Sequence, residues 1–398
     1  MQFFFLFGMK NLFLIIFLLP VVAFSQQVDA NNNSALEAKM EVLWNGSKKV
    51  YHSPKTNLFY TRPVVKVPSP EDMKVLKPLK KSGVPNWHGG HSGTEDCSML
   101  GGIILAGLCD RYKVLKDEES INRARAMFQG LKLNATAHGD RGFVARGVSP
   151  IDAKTIYPGS SRDQYTHLIH GMWRYFNSSM PTEQDKNDIK QIFSDIAEKM
   201  IREVRADVKP QYSFKFYKGM DDDRGVAKML EVNPHEAARL SMFYACAYDV
   251  TKNKKYYELY KKHLPYAIEH SAEIVNMPKN KLRWWVPAYA VLQMTSSIEV
   301  LYVIETDVKT KKQIEDLMTL VANFFETCDV FDLSKRRDSR DCAEVINGQL
   351  LCPTYKLSAK HEAILRKHIA NTRPSYSAGS YTLLSAYWRA RANGYLKP

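Results

Sequence analysis

Four polar side chains, Asp163, His167, His170 and Arg174, recur at three- and four-residue spacing within YPGSSRDQYTHLIHGMWRYF, residues 157–176. At about 100° per residue they fall within about 60° of one another, forming one stripe on a helix. Tyr165, Leu168, Ile169, Met172 and Phe176 occupy the opposite side. Between Thr155 and Thr182 there is no Lys and no Glu, the usual decoration of a solvated helix. Such a stripe faces water on a surface helix and a wet lumen on an inner one. The chemistry it offers is proton transfer. Asp163 stands in the first turn beside Arg162 and Gln164, where a carboxylate is held and tuned. Cleavage of a glycosidic bond needs a carboxylic acid at the leaving oxygen and a second carboxylate across the site. Asp96 or Glu95 is placed to supply the second, although each also complements a helix dipole. Asp163, His167 and His170 have helical metal-ligand spacing as well. No Cys or further carboxylate is committed to such a site, so neither a metal nor a cofactor is expected.

The same residue types gather before other charge-poor helices. NWHGGHSG carries Trp87, His88 and His91, ahead of a helix that Thr94 is placed to cap with Glu95 and Asp96 in its first turn. NPHEAAR carries Asn233, His235 and Glu236, and NKLRWWVPAY carries Arg283, Trp284, Trp285 and Tyr289. NTRPSYSAGSY carries Arg373, Tyr376, Ser377 and Tyr381. Residues 139–150, GDRGFVARGVSP, bring Arg141 and Arg146 on an extended segment suited to pairing with a carboxylate or sulfate. Caps account for Thr94, Ser160 and Asn233; they do not account for paired Trp, paired His and several loop arginines. If these helices run parallel, their starts meet around one cavity. Asp163 and Asp96 are then the expected catalytic pair. Trp87, His91, Trp284, Trp285 and Tyr376 are expected substrate contacts, as are Arg146, Arg162, Gln164, His167, His170, His235 and Glu236.

The elements that must position them read as helices in pairs. The stretches 95–112, 163–177, 235–250, 286–305 and 377–393 are poor in charge. Each alternates with a charged one, at 117–137, 182–207, 253–275, 309–327 and 358–370. Quiet helices pack on both sides and loud ones face water, which describes two concentric layers. The fold class is all-α, with ten to twelve helices closed into a double-layered toroid. Strand-like alternation appears only near RGFVARGV, 141–148. Residues 26–92 hold a short helix near 35–44 and a Pro- and Lys-rich stretch, and are expected to form an irregular N-terminal arm on a toroid spanning 93–398. No glycine-rich phosphate loop and no GxSxG occurs, which disfavours nucleotide chemistry and an α/β-hydrolase.

The chain of 398 residues has a formal charge of +14, which favours polyanionic partners: nucleic acid, membrane surfaces or acidic polysaccharide. Lys10 followed by NLFLIIFLLPVVAFSQ reads as a signal peptide cut after Ser25, so residues 1–25 are expected to be removed and the protein to be secreted or periplasmic. A secreted basic protein points to acidic sugars, with no nucleic-acid partner and no integral membrane segment after cleavage. A monomer is expected. Cys97 and Cys109 lie too far apart on one helix to bridge, whereas a pair among Cys328, Cys342 and Cys352 has room to close a disulfide.

Two stretches, HSGTEDCSMLGGIILAGLCDRY and GFVARGVSPIDAKTIYPGSSRDQYTHLIHGMWRYF, resemble the six-hairpin glycosidase-type (α/α)6 toroids. The resemblance implies an active site at the inner-helix ends and a secreted or periplasmic protein. Unsaturated uronyl hydrolases of this superfamily use acidic residues on inner helices, and by position Asp163 and Asp96 match that role. The expected function is a glycoside hydrolase acting on an acidic, uronic-acid-containing polysaccharide or oligosaccharide. The alternatives are a polysaccharide lyase on the same scaffold, with Arg neutralising a carboxylate and Tyr165, His167 or His235 abstracting a proton, and a non-catalytic carbohydrate-binding protein.

Overall fold

The structure is a computed structural model that describes residues 28–64, 94–150, 152–154, 156, 159–205, 227–336, 338–373 and 377–397. Among the described residues, six helices form an inner ring. They are α2 (Cys97–Leu115), α4 (Arg162–Phe176), α6 (Arg239–Thr251), α9 (Ala288–Ile304), α11 (Ser339–Gln349) and α13 (Ser377–Ala392). Each packs on the next, and α13 returns to α2, so the ring closes. Six more stand outside: α1 (Asn33–Tyr51), α3 (Glu118–Thr136), α5 (Glu183–Glu203), α7 (Lys254–Ala272), α10 (Val308–Thr327) and α12 (Ala359–Asn371). A short helix, α8 (Lys279–Trp285), precedes α9, and a two-stranded hairpin, β1 (His52–Ser53) with β2 (Leu58–Phe59), follows α1.

The two layers follow from composition. Helix α2 is apolar almost all round and buries every residue from Cys97 to Arg111. The outer helices bury one stripe each; in α5 it runs Ile189, Ile192, Phe193, Ile196 and Met200. All six outer helices are capped by a side chain, from Asn32, Asp117, Thr182, Asn253, Asp307 and Ser358. Each such cap stabilises by about 1 kcal/mol. The inner layer departs from this. The residues at the N-caps of α2, α4, α6 and α9, namely Asp96, Ser161, Ala238 and Pro287, make no cap bond; Asp338 caps α11. The positive ends of four inner dipoles are thus left for something other than their own N-caps.

Glycine sets the closest inner contact. A Cβ on Gly102 of α2 would lie 2.0 Å from the His167 carbonyl oxygen of α4, and one on Gly171 would lie 2.5 Å from the Gly102 carbonyl oxygen. The far ends of the inner helices are sealed by charge. Asp110 accepts from Arg174 Nη2 at 2.8 Å and from Arg389 Nε at 2.6 Å. Glu299 accepts from Arg174 Nη1 at 3.3 Å and lies 2.6 Å from His170 Nε2. Burial would raise the Glu299 carboxyl, but Arg174, His170 and Arg389 hold it down at about 2.

Four expectations change. The segment read as an arm contains α1, which packs on α12 and α13 and takes the first outer position. The disulfide expected among Cys328, Cys342 and Cys352 does not form: Cys342 lies within the inner helix α11, and all six cysteines are free. Residues 141–148 form no strand; only an isolated bridge joins Val148 to Ile156. Helix α2 begins after Asp96, so Asp96 and not Thr94 takes its N-cap position.

Candidate active site

The starts of five inner helices converge on one cavity of about 440 Å³. Helix α2 contributes Asp96 and Met99, and the preceding loop of α4 contributes Arg146 and Ser161. Helix α4 adds Arg162 and Asp163. A single 3-10 turn, Pro234–Glu236, adds His235 and Glu236, and α6 adds Arg239. Trp285, Pro287 and Tyr289 come from the start of α9, and Arg340 from the first turn of α11.

Carboxylates and guanidiniums alternate around it. Asp96 Oδ1 accepts from Arg146 Nη2 at 3.3 Å and from Gln164 Nε2 at 3.1 Å. Gln164 lies behind the wall, where its Oε1 accepts from the Met99 N–H at 2.9 Å and ties α4 to α2. Asp163 Oδ1 accepts from Arg239 Nη1 at 3.1 Å. Glu236 receives Arg162 on both oxygens, at 2.7 and 3.1 Å, and Arg239 at 3.2 Å. Burial would push the Glu236 carboxyl up, but Arg239 and Arg162 outweigh it and hold it below its ordinary value. The two carboxylates most open to the cavity are Asp96 and Asp163, with side chains 29% and 31% exposed against 7% for Glu236.

Three further groups tune the site. Burial lowers the His235 imidazole to about 4, against the pull of Glu236, so it is neutral at pH 7. Burial, with Asp163 beside it, raises the Tyr289 phenol to about 12. Arg340 donates through Nε to Glu344 at 2.8 Å, one turn deeper on α11. Burial raises the Glu344 carboxyl to about 7 even though Arg340 opposes the shift.

Not every residue of the expected set reaches the cavity. Asp163, Asp96, Arg146, Arg162, His235, Glu236 and Trp285 line it; Gln164 supports it. His167 is buried one turn beneath Asp163, and neither ring nitrogen has a hydrogen-bond partner among the described residues. His170 lies with Glu299 at the far end of the ring, because seven residues of helical rise from Asp163, about 10 Å, carry it away from the mouth. Trp284 stands outside, 79% exposed. Trp87, His91 and Tyr376 lie outside the described residues. Tyr165, an alternative base, is buried against Val144 and Gly142, to which its hydroxyl bonds. Tyr289, named at the start of α9, also lines the cavity, and Arg239 and Arg340 do so without having been expected there. Arg239 had a signal: it is the only cation in the quiet stretch 235–250 and stands three residues after Glu236.

The arrangement can bind an anion and move protons. Four guanidiniums face three carboxylates, and uncapped inner-helix starts add positive potential. Among the described residues no group of three or more His, Cys, Asp or Glu side chains is placed to hold a metal ion.

No protein-family model matches the sequence, and no curated protein does. Solved structures do. A family 76 mannosidase of Bacteroides thetaiotaomicron superposes with a TM-score of 0.52 at 9% identity, covering 89% of this chain and 98% of that one. An α-1,6-mannanase of Salegentibacter sp. HEL1_6 gives 0.50 at 11%, covering 90% and 99%. A sugar epimerase from a ruminal bacterium gives 0.50 at 13%, covering 84% and 85%. At these identities the likeness establishes architecture alone: the chain has an (α/α)6 toroid fold.

Proposed function

We propose that the cavity at the inner-helix starts is the active site of a secreted glycoside hydrolase whose substrate carries a carboxylate or another anionic group. The observation that supports this best is the cavity itself. Two carboxylates open to solvent, Asp96 and Asp163, come from neighbouring inner helices and face a lining richer in guanidinium than in carboxylate. Asp163 serves as the general acid/base and Asp96 as its partner, the pair that glycoside cleavage calls for. Arg239 orients Asp163, and Arg146 and Gln164 orient Asp96. Arg340 and Arg162 attract the anionic group, and Trp285 offers a face to the sugar ring.

One observation favours a second reading. His235 is neutral within the same cavity, as a base that removes a proton from carbon must be. With a guanidinium holding the substrate carboxylate, His235 would serve β-elimination or epimerisation. A panel of acidic and neutral oligosaccharides, read by mass in isotopically labelled water, separates the outcomes. Hydrolysis adds one water and its label. Elimination splits the chain without adding water and leaves a conjugated alkene that absorbs in the ultraviolet. Epimerisation adds no water and, in deuterated water, gains only the label of the one hydrogen taken up at carbon. Turnover of neutral oligosaccharides alone would remove the acidic substrate, and turnover of none would leave a binding protein.

A further inference from the structure

Two indoles stand side by side at the rim of the cavity. Helix α8 is pinned from beneath by Leu282 and followed by Val286, both buried, and it presents Arg283, Trp284 and Trp285 outward in consecutive positions. Trp285 is 53% exposed and lines the cavity, while Trp284 is 79% exposed and does not. Neither indole has a hydrogen-bond or ring partner among the described residues, and Arg283 has no ion-pair partner there. A single exposed apolar side chain needs no explanation. Two adjacent indoles beside a charged cavity offer rigid aromatic faces with N–H groups to spare, the kind of surface that marks a binding site.

Helix geometry decides how these faces are used. Consecutive helical side chains point about 100° apart, so the two indoles cannot cover one sugar ring. Trp285 faces the unit inside the cavity; Trp284 is turned toward whatever lies outside. We propose that Trp284 and Arg283 form an outer sugar subsite, so that the substrate is an acidic oligosaccharide reaching at least one unit beyond the cavity rather than a free monosaccharide. The ring of that unit stacks on Trp284, and its carboxylate meets the Arg283 guanidinium. The inference rests on the sugar-processing reading for the nature of the ligand. A docking patch for a protein would show the same exposed indoles, but the free cation beside them and the continuity with the cavity favour a charged sugar chain.

The test uses the mature full-length protein carrying Asp163→Asn, so that ligands are not consumed, with calorimetric titration of galacturonate, glucuronate and their di- to tetramers. Light scattering runs in parallel. Affinity should rise between monomer and longer oligomers by about threefold to tenfold, the range expected for one aromatic stack. Adding Trp284→Ala should abolish that rise and leave monomer affinity unchanged, whereas Trp285→Ala should weaken every length. Affinity flat with length, or a rise that survives Trp284→Ala, overturns the subsite alone. A dimer that Trp284→Ala dissolves, with length dependence intact, assigns the patch to a second copy of the chain and also overturns it. Failure of every acidic sugar to bind overturns the functional reading and the subsite with it.

Discussion

Replacing Glu344 with Gln should stabilise the protein, and only on the alkaline side. Glu344 is buried, accepts from Arg340 Nε at 2.8 Å through one oxygen, and has no partner for the other among the described residues. Burial pushes its carboxyl up, Arg340 pulls it partway back, and nearby Asp341 and Asp338 push it up again, to about 7 from an ordinary 4.5. A folded-state value raised above the unfolded one means that the folded chain holds the proton more tightly. The stability this gives is complete below about pH 4.5 and is lost as pH rises through about 7. The gap of two to three pKa units amounts to about 3 kcal/mol at most, at about 1.4 kcal/mol per unit. Gln has nothing to ionise. Urea unfolding of both proteins in steps from about pH 4.5 to pH 8 should show their difference growing by up to about 3 kcal/mol in favour of Glu344→Gln. A difference that stays flat over that range would show that Glu344 is ionised throughout, and the reasoning would fail.

Three other outcomes follow from packing and charge. Gly102→Ala forces a methyl into the His167 carbonyl of α4, so thermal unfolding should show a loss of about 3 kcal/mol or more, and a neutral result would mean that α2 and α4 are not in close contact. Glu299→Gln takes the central carboxylate from the buried network of Arg174, Arg389 and His170, and chemical unfolding at neutral pH should report a loss of about 3–5 kcal/mol; a change within about 0.5 kcal/mol, the usual range for surface sites, would contradict the network. Affinity for acidic oligosaccharides should fall as salt rises, since exposed charges are screened within about 10 Å at 0.1 M, and affinity flat with salt would detach the basic charge from the ligand.

The toroid was legible because layers leave a mark in composition. A helix buried on both sides, such as α2 or α9, sheds its charges, and its outer neighbour keeps them on one face. The mark failed for α11. Its first turn lines or borders the cavity, so Arg340 and Asp341 break the charge-poor pattern that inner position otherwise imposes. It failed for α1 because the Pro-rich stretch that follows suggested an irregular segment, while Leu36, Met40, Leu43 and Trp44 already spelled a core-facing stripe. The convergence of helix starts could be read in residue types, since Trp, His and Arg are not needed for capping. Depth could not. The 163–174 stripe looks uniform on a wheel, yet one end faces the cavity at Asp163 and the other is spent at Arg174 and His170 on a closed floor. Arg239 and Arg340 become visible as site residues only when α6 and α11 are placed in the ring, which needs tertiary contacts that a single sequence does not display.

Asp163→Asn, assayed on whichever oligosaccharide the wild-type protein turns over, bears most directly on the claim that this carboxylate carries the chemistry. The substitution keeps shape and hydrogen bonding, and Arg239 retains Glu236 and Gln293 as partners. If Asp163 is the general acid/base, turnover falls by about 10²–10⁴ while the unfolding midpoint hardly moves. Full turnover by a folded Asp163→Asn protein would contradict the account and remove Asp163 from the mechanism.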